Sequence, residues 1–66
     1  MKTINTYQRK GFVINQVRYD IPFFGGHYSV EVSYNDNEIF VKDGLTLDAS
    51  TEVFKEEIEK LNRQVK

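Results

Sequence analysis

The residues best suited to chemistry lie around one loop of the sequence, where Asp20, His27 and Ser29 occur close together. Histidine titrates near neutral pH, and a serine nucleophile needs such a base together with an acid that orients it. Nothing in this spacing holds the three groups at bonding distance, and a surface histidine after a glycine pair accounts for the same residues. We therefore expect no catalytic residues and no enzymatic activity.

Residues that bind metals or cofactors are also scarce. The chain has one histidine and no cysteine, so disulfides and a structural zinc site are not expected. The glycine pair Gly25-Gly26 precedes a predicted strand, whereas phosphate-binding loops precede a helix. We expect neither a metal ion nor a cofactor.

Basic residues are concentrated at the N-terminus, although the net charge of the chain is −1. Residues 20–66 hold all ten acidic residues and five of the nine basic ones. The other four basic residues are Lys2, Arg9, Lys10 and Arg18. A basic segment can contact nucleic acid or an acidic protein surface, and it can also be a solvated terminus. These four cations are the candidate contacts for nucleic-acid binding, which is the alternative function.

Apolar residues at every second position predict strands within residues 11–21, 27–34 and 38–42. The clearest pattern is that of the second segment, where apolar and polar residues alternate strictly. Its apolar members are Tyr28, Val30, Val32 and Tyr34. The three segments together predict an antiparallel meander.

The positions of the apolar residues predict how these strands pair. A two-residue turn at Asp36-Asn37 pairs Tyr34 with Ile39 and suits a type I′ hairpin. Pairing Val17 with Val30 then collects the apolar stripes on one face, because side chains alternate between faces.

This register predicts an apolar patch on the face away from the helix. The patch consists of Phe12, Ile14 and Phe40. Such patches often mark interfaces, so we expect a protein contact there. The alternative is that Ile4 and Tyr7 of the N-terminal segment cover the patch.

An amphipathic helix is predicted after the Asp43-Gly44 turn. Its apolar residues recur at helical spacing and predict the face that packs on the sheet. This stripe comprises Phe54, Ile58, Leu61 and Val65. Asp48 or Ser50 is the expected N-cap residue.

The predicted fold class is therefore α+β, with a three-stranded antiparallel meander sheet (β-β-β-α) and one C-terminal helix. Residues 1–10 are expected to form a basic N-terminal arm, and residues 11–66 a single domain, because 66 residues cannot build a second core. No apolar run approaches the about 18 residues of a membrane span, and residues 1–10 lack the apolar segment of a signal peptide. We expect no membrane contact and a cytoplasmic protein.

The segment from Tyr28 to Val32, followed by a turn, a strand and a helix, is similar to the C-terminal part of double-stranded-RNA-binding domains. The strand order is also similar to that of the three-stranded arm-binding domains of phage-type integrases. Either resemblance implies nucleic-acid binding. The sequence departs from both patterns, because its helix starts with acidic residues and its sheet carries Glu31 and Glu38.

We expect a small non-enzymatic module that binds a protein, such as an inhibitor or adaptor of a larger partner. Abundant Asn, Ile and Lys are typical of an AT-rich phage or bacterial accessory protein. A short chain without disulfides gains stability by burying more surface, which favours a homodimer. Phe23 and Phe24 are further candidate protein contacts, because aromatic side chains on loops make binding anchors. Their alternative role is to cover the edge of the core.

Overall fold

The computed structural model describes residues 1–21 and 25–65. The chain forms four strands and one helix, namely β1 (Lys2–Arg9), β2 (Phe12–Ile21), β3 (Gly25–Tyr34), β4 (Asn37–Leu45) and α1 (Leu47–Gln64). The strands form one antiparallel sheet in the order β1-β2-β3-β4, and α1 packs on one of its faces. The predicted α+β class, the meander and the C-terminal helix are confirmed.

The predicted number of strands is wrong, because the segment expected to be a basic arm forms strand β1. It pairs antiparallel with β2 along its length, from Lys2 opposite Arg18 to Arg9 opposite Phe12. β1 is an edge strand in which most residues are exposed. It therefore lacks the regular apolar alternation by which strands are recognised in a sequence.

Two-residue turns join β1 to β2 and β3 to β4. The φ angles are 48° and 86° at Lys10 and Gly11, and 50° and 68° at Asn35 and Asp36. Positive φ at both central residues is the requirement of a type I′ turn, which glycine, asparagine and aspartate tolerate. The amide of Asn35 donates to the carbonyl of Gly11 at 3.0 Å, so the two turns lie side by side.

The register between β2 and β3 differs by one residue from the predicted one. Val30 pairs with Gln16, not with Val17, and Val32 pairs with Ile14. Because a shift of one residue moves every side chain to the other face, the even-numbered residues of β2 face the helix. Phe12 and Ile14 therefore lie on the helix side of the sheet, and their predicted location on the opposite face is wrong.

The register of β4 also differs from the predicted one. The turn lies at Asn35-Asp36, so Tyr34 pairs with Asn37. Between this turn and Phe40, β4 contains one residue more than β3, so Phe40 pairs with Val32. Phe40 thus joins Val32 on the helix side, which corrects its predicted location as well.

The core lies between the helix and the central strands. Its buried members are Ile14, Val30, Val32 and Leu61, and the rest of the predicted helix stripe packs around them. The apolar stripe predicted for α1 is confirmed, whereas only Val30 and Val32 of the β3 stripe belong to the buried core and Tyr34 is 42% exposed. Burial of these side chains is the main stabilising contribution in so small a domain.

A buried amide explains why β2 presents its even-numbered residues to the helix. Gln16 is 0% exposed. Its Oε1 accepts a hydrogen bond from Asn5 at 2.8 Å, and its Nε2 donates to the hydroxyls of Ser50 at 2.7 Å and Thr51 at 3.1 Å. A buried polar group is costly only when it is unpaired, and this amide is fully paired.

The helix begins one residue after Thr46, whose hydroxyl accepts a hydrogen bond from the amide of Ala49 at 3.1 Å. The predicted caps, Asp48 and Ser50, both lie inside the helix. Ser50 instead donates to the carbonyl of Leu47 at 2.8 Å and accepts from Gln16. Thr46 fits the N-cap position because a threonine hydroxyl satisfies an amide in the first turn.

Replacing Gln16 with Ala should lower the free energy of unfolding by about 2–3 kcal/mol, because it removes three buried hydrogen bonds and leaves a cavity. The control is Asn15→Ala, which removes a hydrogen bond to Thr6 on the opposite face and should cost less than about 1 kcal/mol. Urea unfolding curves measure both values. Equal unfolding midpoints for the two variants would show that the Gln16 amide does not hold the helix to the sheet.

Thr46→Ala should destabilise the protein by about 1 kcal/mol, the usual cost of losing an N-cap. Asp48→Ala should cost less, because an acidic residue in the first turn only interacts with the helix dipole. Thermal melts followed by circular dichroism compare the two. A larger loss for Asp48→Ala would contradict the assignment of the cap.

Candidate functional site

A hollow of the described surface lies between β4 and the C-terminal half of α1, and we call it the β4–α1 groove. It has a volume of about 150 Å³. Its walls are apolar on the sheet side and partly charged on the helix side. The lining residues are Phe12, Ile14, Val32, Ile39, Phe40, Glu57, Lys60, Leu61 and Gln64.

A β-bulge directs two consecutive side chains of β4 into this groove. Val32 pairs with Phe40 while Ser33 pairs with Glu38, so Ile39 is the extra residue. Both Ile39 and Phe40 line the groove, although neighbouring residues of a regular strand point to opposite faces. Bulges often reorient a side chain in this way. In a regular strand only one of these two residues would face the groove. The bulge therefore adds a second apolar side chain to its wall.

The two bulge residues remain open to solvent. Ile39 is 57% exposed and Phe40 is 39% exposed. Tyr34, at the end of β3, is exposed as well. The outer wall of the groove is therefore an apolar surface, and its inner wall is continuous with the core through Ile14 and Leu61.

The helix wall of the groove carries a pair of opposite charges. Lys60 Nζ lies 3.7 Å from Glu57 Oε2, and the glutamate is the less exposed of the two. On the strand side, Lys42 follows Phe40 by two positions and pairs with Val30, so it lies on the same face. The rim therefore combines charges of both signs.

Three of the residues predicted as a protein interface do lie together. Phe12, Ile14 and Phe40 all line the groove, but on the helix side of the sheet. Ile14 belongs to the buried core, so of these three residues only Phe12 and Phe40 can contact a partner. The other two predicted contacts, Phe23 and Phe24, lie outside the described residues. Ile39 was not among the predicted contacts, because a bulge cannot be recognised from the alternation of apolar and polar residues in a sequence.

The opposite face of the sheet holds two of the three residues considered for catalysis, His27 and Ser29. Tyr19 and His27 stack with ring centroids 5.3 Å apart, and the Tyr19 hydroxyl donates to Glu31 Oε2 at 3.0 Å. The Ser29 hydroxyl is buried and has no hydrogen-bond partner among the described residues. Asp20 is separated from this group because it lies on the other face of β2, where its carboxylate is 3.1 Å from Arg18 Nε. Asp20, His27 and Ser29 thus do not form a catalytic triad in this structure.

The contact with Glu31 changes the acidity of Tyr19. The hydrogen bond to that carboxylate, together with partial burial, raises the pKa of Tyr19 above the ordinary value of about 10. The negative charge of Glu31 acts in the same direction, since it disfavours a tyrosinate nearby. This side chain is therefore held in its neutral form as a hydrogen-bond donor.

The four candidate nucleic-acid contacts are divided between the two ends of the sheet. Lys2 pairs with Arg18 at one end, whereas Arg9 and Lys10 lie at the other. Seven residues of extended strand separate the ends by about 23 Å. Arg9 is also used within the fold, because its Nη1 donates to Asn62 Oδ1 at 2.6 Å. The structure does not bring these cations together.

The described residues contain no group of three or more histidine, cysteine, aspartate or glutamate side chains that could hold a metal ion. Within the same part of the chain, no helix is both long and apolar enough to cross a membrane. Comparison with protein-family models, with curated proteins and with solved structures finds no match to this chain. The candidate site is therefore argued from its geometry alone.

The raised pKa of Tyr19 leads to a prediction for alkaline pH. A pKa that is higher in the folded state adds stability below pH about 10, and this stability is lost as the pH rises through the raised value. In Glu31→Gln, the tyrosine should ionise at a lower pH than in the parent protein. Titration of the tyrosine ring signals by NMR measures this midpoint. An unchanged midpoint in Glu31→Gln would contradict the role given to the carboxylate.

Proposed function

We propose that this protein is a small non-enzymatic module that binds a protein partner through the β4–α1 groove. An inhibitor or adaptor of a larger protein fits its size. The observation that carries the proposal is the bulge in β4, which turns Ile39 and Phe40 together into the groove and leaves both exposed. Exposed apolar surface beside charged residues is characteristic of protein interfaces.

The size of the groove indicates what it can hold. An apolar cavity of about 150 Å³ accommodates one benzene molecule, which has the dimensions of a phenylalanine ring. The groove has this volume, and its sheet side is lined by aromatic and aliphatic side chains. A single large apolar side chain from a partner is therefore the natural anchor, as in the central pockets of known interfaces.

The edges of the sheet favour contact through side chains over the addition of a strand. Both edge strands are bulged, β1 at Ile4 and β4 at Ile39. A second register shift in β4 lies between Lys42 and Leu45. Each bulge interrupts the row of backbone groups to which an incoming strand would bind.

Nucleic-acid binding, the alternative function, has less support. Duplex binding depends on many phosphate contacts made together, whereas the cations here lie at two ends of the sheet. The sheet face away from the helix carries Glu31 and Glu38. By the strand registers, no lysine or arginine of the described strands lies on this face. An origin in a phage or bacterial accessory system and a cytoplasmic location remain predictions from composition.

Selection from a displayed peptide library tests this proposal without knowledge of the natural partner. Peptides that bind the immobilised chain should contain an aromatic or large aliphatic anchor. Their binding should be lost in Ile39→Lys, because a charged side chain would then lie in an apolar contact. Ile39 is well exposed, so the variant should fold as the parent does.

The matched control is Val41→Lys, which introduces the same charge on the same strand. Val41 is 39% exposed, the same as Phe40, but it pairs with Glu31 and lies on the opposite face. Peptides should bind this variant as they bind the parent. Selected peptides that bind both variants equally well would disprove a docking role for the groove.

A further inference from the structure

We infer that the β4–α1 groove takes a second copy of this chain, docked about a two-fold axis. This inference rests on the proposed function, because it names the occupant of the same groove. It differs from the dimer expected from the sequence, which used the opposite face of the sheet.

The shape of the surface is self-complementary. A two-fold dimer uses the same patch on both copies, so the patch must contain both a projection and a recess that accepts it. Ile39 and Phe40 form the exposed wall, and the groove beside them holds about one aromatic ring. One copy can therefore place its outer wall in the groove of the other while receiving the same contact in return.

The charges around the groove alternate in an order that suits a second copy. On the β3–β4 hairpin, Asp36 lies in the turn, and Lys42 lies further along β4 on the helix side of the sheet. On α1 the order is reversed. Lys60 is nearer to the turn end and Glu57 is one helical turn further from it.

The direction of the helix follows from its contacts with the sheet. Asn62, near its C-terminal end, accepts a hydrogen bond from Tyr7 at the turn end of the sheet. Ser50, near its N-terminal end, accepts one from Gln16, farther from the turns. Along the groove, Lys60 therefore lies nearer to the turns than Glu57 does.

Two facing copies then bring unlike charges together. With the two-fold axis along the strands, Asp36 faces Lys60, and Lys42 faces Glu57. An axis across the strands would place outer wall against outer wall, so the shape of the patch selects the axis along the strands. This arrangement is electrostatically favourable, whereas a partner of one predominant charge would meet both signs on the rim.

Self-association has a consequence for any larger partner. The dimer covers the groove, so a protein that binds there must compete with the second copy. By mass action, such a partner shifts the chain towards the monomer. The dimer is then the form in which the apolar groove is shielded until a partner is present.

Sedimentation velocity over a range of concentrations tests the inference on the full chain. The parent should change from monomer to dimer as its concentration rises. Ile39→Lys should weaken the dimer about a hundredfold or more, since its charge would be buried in the contact. Val41→Lys should dimerise as the parent does. Circular dichroism melts establish that each variant is folded.

A second pair of variants tests the charge pattern. Lys42→Glu places an acid opposite Glu57 of the second copy, and should weaken the dimer about tenfold. Lys55→Glu makes the same change on the exposed side of α1, where it should have no effect. This pair remains informative if Ile39→Lys fails to fold.

The results separate this inference from the proposed function. A parent that stays monomeric at high micromolar concentration overturns the second copy as occupant, and so does a dimer that is indifferent to Ile39→Lys and Lys42→Glu. The proposed function still stands in either case if the selected peptides require Ile39. Peptides that do not require Ile39 overturn the proposed function itself.

Discussion

The hydrogen bonds of the buried Gln16 amide decide how the helix and the sheet fit together. An unpaired amide at this position would cost several times the value of an ordinary exposed hydrogen bond. It is paired only because Asn5 approaches from β1 while Ser50 and Thr51 approach from the first turn of α1. One side chain therefore connects the edge strand, the central strand and the start of the helix. The groove at the other end of α1 depends on this arrangement, because it lies between the sheet and the helix that these hydrogen bonds hold together.

The parts of the fold that could be predicted are those in which apolar residues keep a single period. The stripe of α1 packs in the core as expected, and so do Val30 and Val32 at the centre of the β3 stripe. β2 is different because it has apolar residues on both faces, with Ile14 on one and Val17 on the other, and both are buried. Apolar pattern alone cannot choose between such faces. The deciding residue is the polar Gln16, which a sequence pattern assigns to solvent.

The candidate site was predictable in its members but not in its location. Phe12, Ile14 and Phe40 were expected to be neighbours, and they are neighbours. Their face changed because the registers on both sides of β3 differ by a residue from those expected, which moves all three side chains together. Ile39 was expected opposite Tyr34 in a regular hairpin, and its position in a bulge could not be predicted, since a bulge depends on how the partner strand pairs. Asp20 could not be separated from His27 and Ser29 until the faces of the strands were known.

The short turns of the sheet have a consequence for how the chain folds. Strands that are neighbours in the sheet are also neighbours in the sequence, so β-sheet pairing requires only local contacts. The helix is held by distant ones, with Tyr7 meeting Asn62 across 55 positions and Gln16 meeting Ser50 across 34. Contacts that close long loops tend to form late in folding. The meander can therefore assemble as a platform on which α1 docks last, and α1 is the element whose partial detachment exposes the core while the sheet persists.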